Sequence, residues 1–250
     1  MNSMVKMAAA LVLGFVVTGA MTSCGPPSRA SAEAQLDREA ARDPVISAIR
    51  EADPALYARI RESAATQLSD GGSLDDVRTA VTGAARAYIG QQMGAIATAP
   101  SEAQLAAFTA ERDLLVLLRG VDIETCANAA MGVPGERDPA GMDDRIGQAF
   151  GHAIAARLEA AAAGRAQPTE HAAVEPTDAQ AVRDGMLAEG LDPRVVDGLL
   201  MGAINALSAQ EKCDGTIGFS NAILAQPAAS RERLVAMVFT TLAQVTPPTP

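Results

Sequence analysis

The chain repeats one local signal that constrains its fold: a residue that caps a helix, followed by residues suited to the first helical turn. Three of these signals are Asp-Pro pairs, in which proline takes the first helical position, where its missing N–H costs nothing: Asp43-Pro44, Asp53-Pro54 and Asp192-Pro193. Three more have the spacing of a capping box: Ser101 with Gln104, Thr177 with Gln180, and Ser208 with Glu211. Few alternating β-branched runs lie between these signals, so the sequence predicts an all-α protein.

Apolar residues at helical spacing support this prediction. They define four amphipathic helices: one from about 73 to 97, one that ends at Gly120, one from about 144 to 163, and a last one that ends before Pro247. Their apolar stripes contain Leu74, Val77, Val81, Ala84 and Tyr88; Leu105, Phe108, Leu115 and Leu118; Ile146, Phe150, Ile154 and Leu158; and Leu234, Val238, Leu242 and Val245. Because each stripe needs partners, we expect a multi-helix bundle or an array of antiparallel helical hairpins, either undivided or in two packed helical halves.

Two segments rich in glycine or proline interrupt the helices, at 132–141 and at 164–176. The second segment is a predicted linker between a helical region at 43–163 and another at 177–246, which is expected to pack on the first. Residues 247–250 are expected to form a disordered tail. About one residue in five is alanine, which permits close helix contact but buries little apolar area. The predicted core is therefore thin and depends on Leu, Ile, Val and a few Phe.

The net charge and the histidine count disfavour two function classes. Acidic residues number 30 and basic residues 20, which gives a formal net charge of −10 that would repel a phosphate backbone. His152 and His171 are the only histidines, and neither has a partner at the spacing of a metal site. We therefore expect no nucleic-acid binding, no bound metal and no cofactor.

The N-terminal residues have the order of an export signal. Lys6 gives a positive start, residues 7–20 are apolar, and Met21-Thr22-Ser23-Cys24 follows. This ending resembles the lipobox of bacterial lipoproteins, in which a hydrophobic residue, usually leucine, and two small residues precede a cysteine that is lipidated. Two alternatives are cleavage after Ala20, which would leave a soluble protein with three cysteines, and retention of the segment as a membrane anchor.

The resemblance to lipoproteins implies a location. After removal of a signal peptide over 1–23, a lipid such as palmitate on Cys24 would attach the protein to a membrane of the bacterial cell envelope. Gly25, rather than aspartate, follows the cysteine, which in Gram-negative sorting implies the outer membrane, facing the periplasm. Removing 1–23 takes away Lys6 and no acidic residue, so the formal charge changes from −10 to −11. Residues 24–42 are expected to form a flexible tether.

Cys126 and Cys213 remain once Cys24 is lipidated, and an even pair in an oxidising compartment predicts a disulfide. A loop-entropy model gives a bridge across these 87 residues roughly 4 to 5 kcal/mol of stabilisation. A redox role for one thiol is disfavoured, because Glu124 and Glu211 would oppose a thiolate and the chain has no Cys-x-x-Cys motif.

Other polar motifs are better explained by structure than by chemistry. His152 is expected on the solvated face of its helix, and His171 in the exposed linker. The segment Gly218-Phe219-Ser220-Asn221-Ala222 resembles a hydrolase nucleophile elbow only loosely, because no strand precedes the serine. The segment Gly71-Gly72-Ser73-Leu74-Asp75-Asp76 predicts a loop entering a helix rather than a phosphate cradle. Three aspartates lack the alternating spacing of a calcium loop: Asp138, Asp143 and Asp144.

Two function hypotheses follow. The first is a lipid-anchored, non-enzymatic structural or protein-interaction module with a protein partner in the cell envelope. The second is a carrier of a lipid or other apolar ligand, with Met186, Met201 and Met237 as adaptable wall residues, although ordinary core packing also explains these methionines. No catalytic motif is present in the sequence, so an enzyme is not expected.

Overall fold

The computed structural model describes residues 27–42, 44–72, 74–132 and 144–245. Within them the chain forms eleven α-helices, one short 3-10 helix and no strand. The helices are α1 (Arg29–Ala40), α2 (Pro44–Ala52), α3 (Pro54–Ser69), α4 (Leu74–Ala97), α5 (Ser101–Arg119), α6 (Ile123–Ala130), α7 (Asp144–Ala166), α8 (Pro176–Ala188), α9 (Pro193–Leu200), α10 (Ala209–Leu224) and α11 (Ala228–Val245), with the 3-10 helix at Ile204–Ala206. The predicted all-α class is confirmed.

Several sequence predictions fall outside the described residues. They concern the N-terminal leader with Cys24, the cap at Asp43, the calcium-loop candidates Asp138 and Asp143, and the tail at 247–250.

Three of the predicted helix caps are confirmed. Asp53 accepts a hydrogen bond from the Leu56 N–H at 2.8 Å and begins α3, and Asp192 accepts one from the Arg194 N–H at 2.7 Å and begins α9. At the start of α10, Ser208 and Glu211 form the expected reciprocal capping box. These caps bond the free N–H groups of the first turn, so they fix where each helix begins.

Two predicted capping boxes are wrong. Helix α5 begins at Ser101 behind Pro100, and no side chain caps it. Gln104 is instead completely buried and bonds to α4, as described below. Helix α8 begins at Pro176, two residues earlier than a cap at Thr177 implies, because proline is pre-organised for the first helical position. The Asp178 carboxylate accepts the Glu175 N–H at 2.9 Å and takes the predicted role of Gln180.

Gly71 and Gly72 end α3, in addition to their predicted place in the loop before α4. Gly71 has a φ of 84°, in the left-handed region, and the Gly72 N–H donates to the Gln67 carbonyl at 2.8 Å. This pattern is a Schellman turn, which bonds carbonyls that the end of the helix leaves free.

The residues predicted to form a flexible tether at 24–42 include a packed helix. Within α1, Ala32, Leu36 and Ala40 recur every fourth residue and are buried. That spacing places their side chains on one face, which packs mainly against α3. The tether prediction is therefore wrong for residues 29–40.

Buried apolar side chains form two cores. The larger core takes its side chains from α4 to α11 and contains Ile96, Leu118, Met186, Ile223 and Phe239 among its completely buried members. The smaller core joins α1, α2 and α3 to one face of α4 and α7, where it includes Tyr88, Ile89, Ile154 and Leu158. Both sides of the predicted linker at 164–176 contribute to the larger core, so the division between the cores lies elsewhere, between the α1–α3 layer and the rest.

Helices α4 and α7 approach closely at Gly164. This residue is buried, and a Cβ atom there would overlap the Ala95 carbonyl oxygen and lie 2.9 Å from the carbonyl carbon. The predicted break at Gly164 is wrong, because α7 continues through this residue to Ala166. The missing side chain lets the two backbones meet, and that contact explains why glycine is tolerated inside the helix.

Candidate functional site

A disulfide joins Cys126 of α6 to Cys213 of α10, in agreement with the sequence prediction. The Cα atoms are 5.5 Å apart, and both residues are completely buried in the larger core. Each cysteine lies early in a helix whose start is capped. Asp122 accepts the Thr125 N–H at 3.0 Å to begin α6, and the Ser208–Glu211 box begins α10. The two caps fix the helical register that lets the cysteines meet.

Polar side chains also link α5 to α10 beside the disulfide. Arg119 and Asp214 form an ion pair at 3.5 Å, and Arg112 Nη1 donates to Asn221 Oδ1 at 3.0 Å. Asn221 Nδ2 in turn donates to Glu189, at the end of α8, at 3.4 Å. These contacts join helices that are far apart in sequence, so they stabilise the tertiary arrangement around the bridge.

A buried ion pair connects α8 to α11. The Arg233 guanidinium donates to both oxygens of Asp178, each at 2.8 Å, and the aspartate is only 3% exposed. The hydrogen bonds from Arg233, followed by the Glu175 N–H, hold the pKa of Asp178 well below its usual range. A bidentate pair of this kind fixes orientation as well as distance.

The C-terminal end of α4 is bonded by groups from two other segments. Gln104 Nε2, from α5, donates to the Ile96 carbonyl at 2.9 Å and to the Ala97 carbonyl at 3.0 Å. The next two carbonyls accept bonds from the irregular segment 167–175, which we call the strap. The Thr169 N–H donates to Thr98 at 2.7 Å, and His171 Nε2 lies 2.9 Å from the Ala99 oxygen.

The prediction that His171 is exposed is therefore wrong. Its ring is partly buried and hydrogen bonds to the backbone, because the strap runs back over the α4–α5 junction. This contact was not predictable from the local sequence. His171 bonds to a carbonyl group just beyond the end of α4, where carbonyls need donors, and the two come together only in the folded chain. His152 lies on an exposed position of α7, as predicted.

An ion-pair network holds α1 to α3. Arg61 donates to both carboxylate oxygens of Asp37, at 2.7 and 2.8 Å, and pairs with Glu33 at 3.0 Å. The Tyr57 hydroxyl donates to the same aspartate at 2.9 Å. Burial and then the bond to Asp37 raise the pKa of Tyr57 to about 12, and the bond from Arg61 lowers the pKa of Asp37.

The remaining candidates for chemistry do not converge. Ser220 lies within α10, where its partly buried hydroxyl donates to the Thr216 carbonyl at 2.9 Å, so the local structure is not a strand-to-helix elbow. Asp144 begins α7. Within the described ranges, no group of three or more His, Cys, Asp or Glu side chains is arranged to hold a metal ion.

The three methionines considered for a ligand-binding wall lie in different environments. Met186 is completely buried in the larger core, whereas Met201 is 83% exposed after α9 and Met237 is exposed on α11. They therefore do not share one buried surface. Met186 has the ordinary core-packing role that was the alternative to a ligand-binding wall.

No protein-family model, curated protein or solved structure matches the chain. Of the helices that the structure describes, none combines the length and the hydropathy needed to cross a bilayer. The functional interpretation therefore depends on the chain's own residues and their geometry.

Proposed function

We propose that the protein is an exported bacterial lipoprotein, anchored by a lipid on Cys24, that acts as a non-enzymatic structural or protein-interaction module of the cell envelope. The observation that carries this proposal is the order of the leader: Lys6, an apolar run over 7–20, and Met21-Thr22-Ser23 before Cys24. Gly25 after the cysteine supports placement in the outer membrane, facing the periplasm.

The geometry of the other two cysteines supports an oxidising compartment. Cys126 and Cys213 come from separate helices, yet their Cα separation of 5.5 Å suits a disulfide. Disulfides persist in exported proteins and are rare in the reducing cytosol. Export through the leader would deliver these thiols to a compartment where the bridge forms.

The buried polar residues support a structural role. Gln104, Thr125 and Asp178 each take part in hydrogen bonds that cap helices or join them, and the Ser220 hydroxyl donates to a carbonyl within its own helix. Groups used in this way are committed to the fold.

Metabolic labelling with palmitate in a Gram-negative host tests the anchor. The wild-type chain should incorporate label and sediment with membranes, and the Cys24→Ala variant should lose both properties. Ser23→Ala is a matched control, because it keeps a small residue before the cysteine and should remain labelled. Unlabelled wild-type protein that begins at Met21 would instead show cleavage after Ala20, and unlabelled protein that retains Met1 would show an uncleaved anchor.

Affinity capture tests the interaction module. The lipidated protein, solubilised in mild detergent, should retain a reproducible envelope protein that a non-lipidated, secreted version captures less well. Absence of any reproducible partner across several mild detergents and cross-linking conditions would count against an interaction role and leave the structural one.

A further inference from the structure

The start of α1 limits the distance between the proposed lipid and the folded protein. Helix α1 begins at Arg29, so only residues 25–28 separate Cys24 from the packed helices. The five Cα-to-Cα steps from Cys24 to Arg29 span at most about 18 Å. A tether that continued to residue 42 would span up to about 65 Å. The short connection keeps the first helix close to whatever membrane holds the lipid.

The direction of α1 determines which end of the α1–α3 layer lies near the anchor. Arg29 pairs with Glu62 at 3.0 Å, whereas Asp37, further along α1, accepts a hydrogen bond from Tyr57. Contacts in this reversed order show that α1 and α3 are antiparallel. The C-terminal half of α3 therefore lies beside the first turn of α1, at the end of the layer that the short connection restrains.

Other helices lie between the α1–α3 layer and the pair α8 and α9. The contacts run from α3 to α4, from α4 to α11, and from α11 to α8 through the Arg233–Asp178 ion pair, and α9 packs on α8 and α10. Packed helix axes are about 8–10 Å apart, so successive helix layers separate α8 from α1 and α3.

Charge does not explain the approach of the α1–α3 layer to a bilayer. Residues 29–72 contain six arginines and eight acidic residues, and Arg29 itself is paired with both Glu33 and Glu62. Attraction to anionic headgroups requires an excess of basic residues, which this layer lacks. The restraint must come from the length of the connection.

We propose that the lipid on Cys24 keeps the start of α1 and the adjoining part of α3 within about 18 Å of the headgroup surface of the membrane and leaves α8 and α9 further out in the aqueous compartment. This inference rests on the proposed lipid anchor. It makes the α8–α9 side the one that a soluble or opposing envelope protein would meet first.

Energy transfer to a labelled membrane tests this orientation. Ser63 on α3 and Ala179 on α8 are exposed, so Ser63→Cys and Ala179→Cys each provide a thiol for a donor dye while the buried disulfide stays intact. The lipidated variants are reconstituted in vesicles of phosphatidylethanolamine and phosphatidylglycerol that carry an acceptor on their headgroups. Circular dichroism and the unfolding midpoint of each labelled variant establish that it is folded before the comparison.

Transfer from position 63 should be several times that from position 179. Inserting a glycine–serine linker of about 20 residues between Ser28 and Arg29, with a root-mean-square length of about 25 Å, should lower the transfer from 63 and reduce the difference. Equal transfer from the two positions in vesicle-bound protein, or transfer from 63 that the linker leaves unchanged, would overturn the orientation alone. Wild-type protein that fails to float with vesicles, like a Cys24→Ser control, would overturn the anchor and this inference together.

Discussion

The α1–α3 layer and the α4–α11 region are stabilised by different kinds of contact. The α4–α11 region has a buried disulfide, a buried ion pair at Asp178 and a close backbone contact at Gly164. The α1–α3 layer has a smaller core and partly exposed ion pairs around Arg61. Exposed pairs contribute about 0–1 kcal/mol each, so we expect the layer next to the proposed anchor to open more easily than the rest.

The positions of the tyrosines allow the two regions to be observed separately. Tyr57 and Tyr88 are the only tyrosines, the chain has no tryptophan, and both side chains pack in or against the smaller core. Tyrosine fluorescence therefore reports on the α1–α3 layer and its contact with α4. Far-UV circular dichroism reports on all the helices. If the α1–α3 layer unfolds more easily than the α4–α11 region, the fluorescence transition of the wild-type protein occurs at a lower urea concentration than the circular-dichroism transition.

The largest expected effect comes from removing the disulfide. Replacing Cys126 and Cys213 with alanine should lower the free energy of unfolding by about 4 kcal/mol, because the bridge closes a long loop in the unfolded chain. The urea midpoint measured by circular dichroism should fall further than the midpoint measured by tyrosine fluorescence. Intact-mass analysis of natively purified wild-type protein provides the check, since two free thiols would refute the bridge.

The next effect comes from the contact between α4 and α7. Gly164→Ala should cost about 3 kcal/mol, because the added methyl group overlaps the backbone of Ala95 and one of the helices must move. Gly147→Ala is the matched control in the same helix, since a Cβ there meets nothing within 4 Å. The control should be neutral or more stable. Equal unfolding midpoints for the two variants would show that α4 and α7 do not depend on this contact.

Acid should weaken the α8–α11 pair. The pKa of Asp178 is lowered in the folded protein, so its contribution to stability is present above the ordinary aspartate pKa of about 4 and is lost as the pH falls towards the folded-state value. Asp178→Asn should be less stable than wild type at pH 7, and the difference should shrink below about pH 4. Asp184→Asn removes an exposed carboxylate from the same helix and serves as the control. A difference that stays constant with pH would exclude the ion pair as its source.

The smallest expected effect lies in the α1–α3 layer. Asp37→Asn should cost no more than about 1 kcal/mol and should cost less at high salt, because the pair with Arg61 is partly exposed. The variant should also lower the pKa of Tyr57 below about 12, but not to its ordinary value, since burial is the larger cause of the shift. Absorbance titration of the tyrosines measures this change, and an unchanged titration would show that the Tyr57–Asp37 bond does not form in solution.

Local signals in the sequence predicted much of the helical structure. Asp53, Asp192 and Ser208 begin helices as expected, because a cap needs only its own side chain and the next turn. The disulfide was predictable for a different reason: if Cys24 is the lipidation site, two cysteines remain to pair with each other.

Features that depend on tertiary contacts were not predictable in the same way. Helix α1 buries mostly alanine, whose weak apolar signal resembles that of a tether. Gly164 looks like a helix break until the backbone of α4 is placed against it. His171 looks exposed because its partner, the Ala99 carbonyl, lies 72 residues away in sequence.

The position of the strap within the disulfide loop affects how the protein would respond to proteolysis. The strap lies between Cys126 and Cys213, and it exposes Ala172 and Ala173 in a stretch without helix or strand, where proteases tend to cut. A single cut there leaves α8–α11 covalently joined to the N-terminal fragment through the bridge. The two pieces separate only after reduction, so a nicked molecule held by the proposed lipid anchor would keep its C-terminal helices.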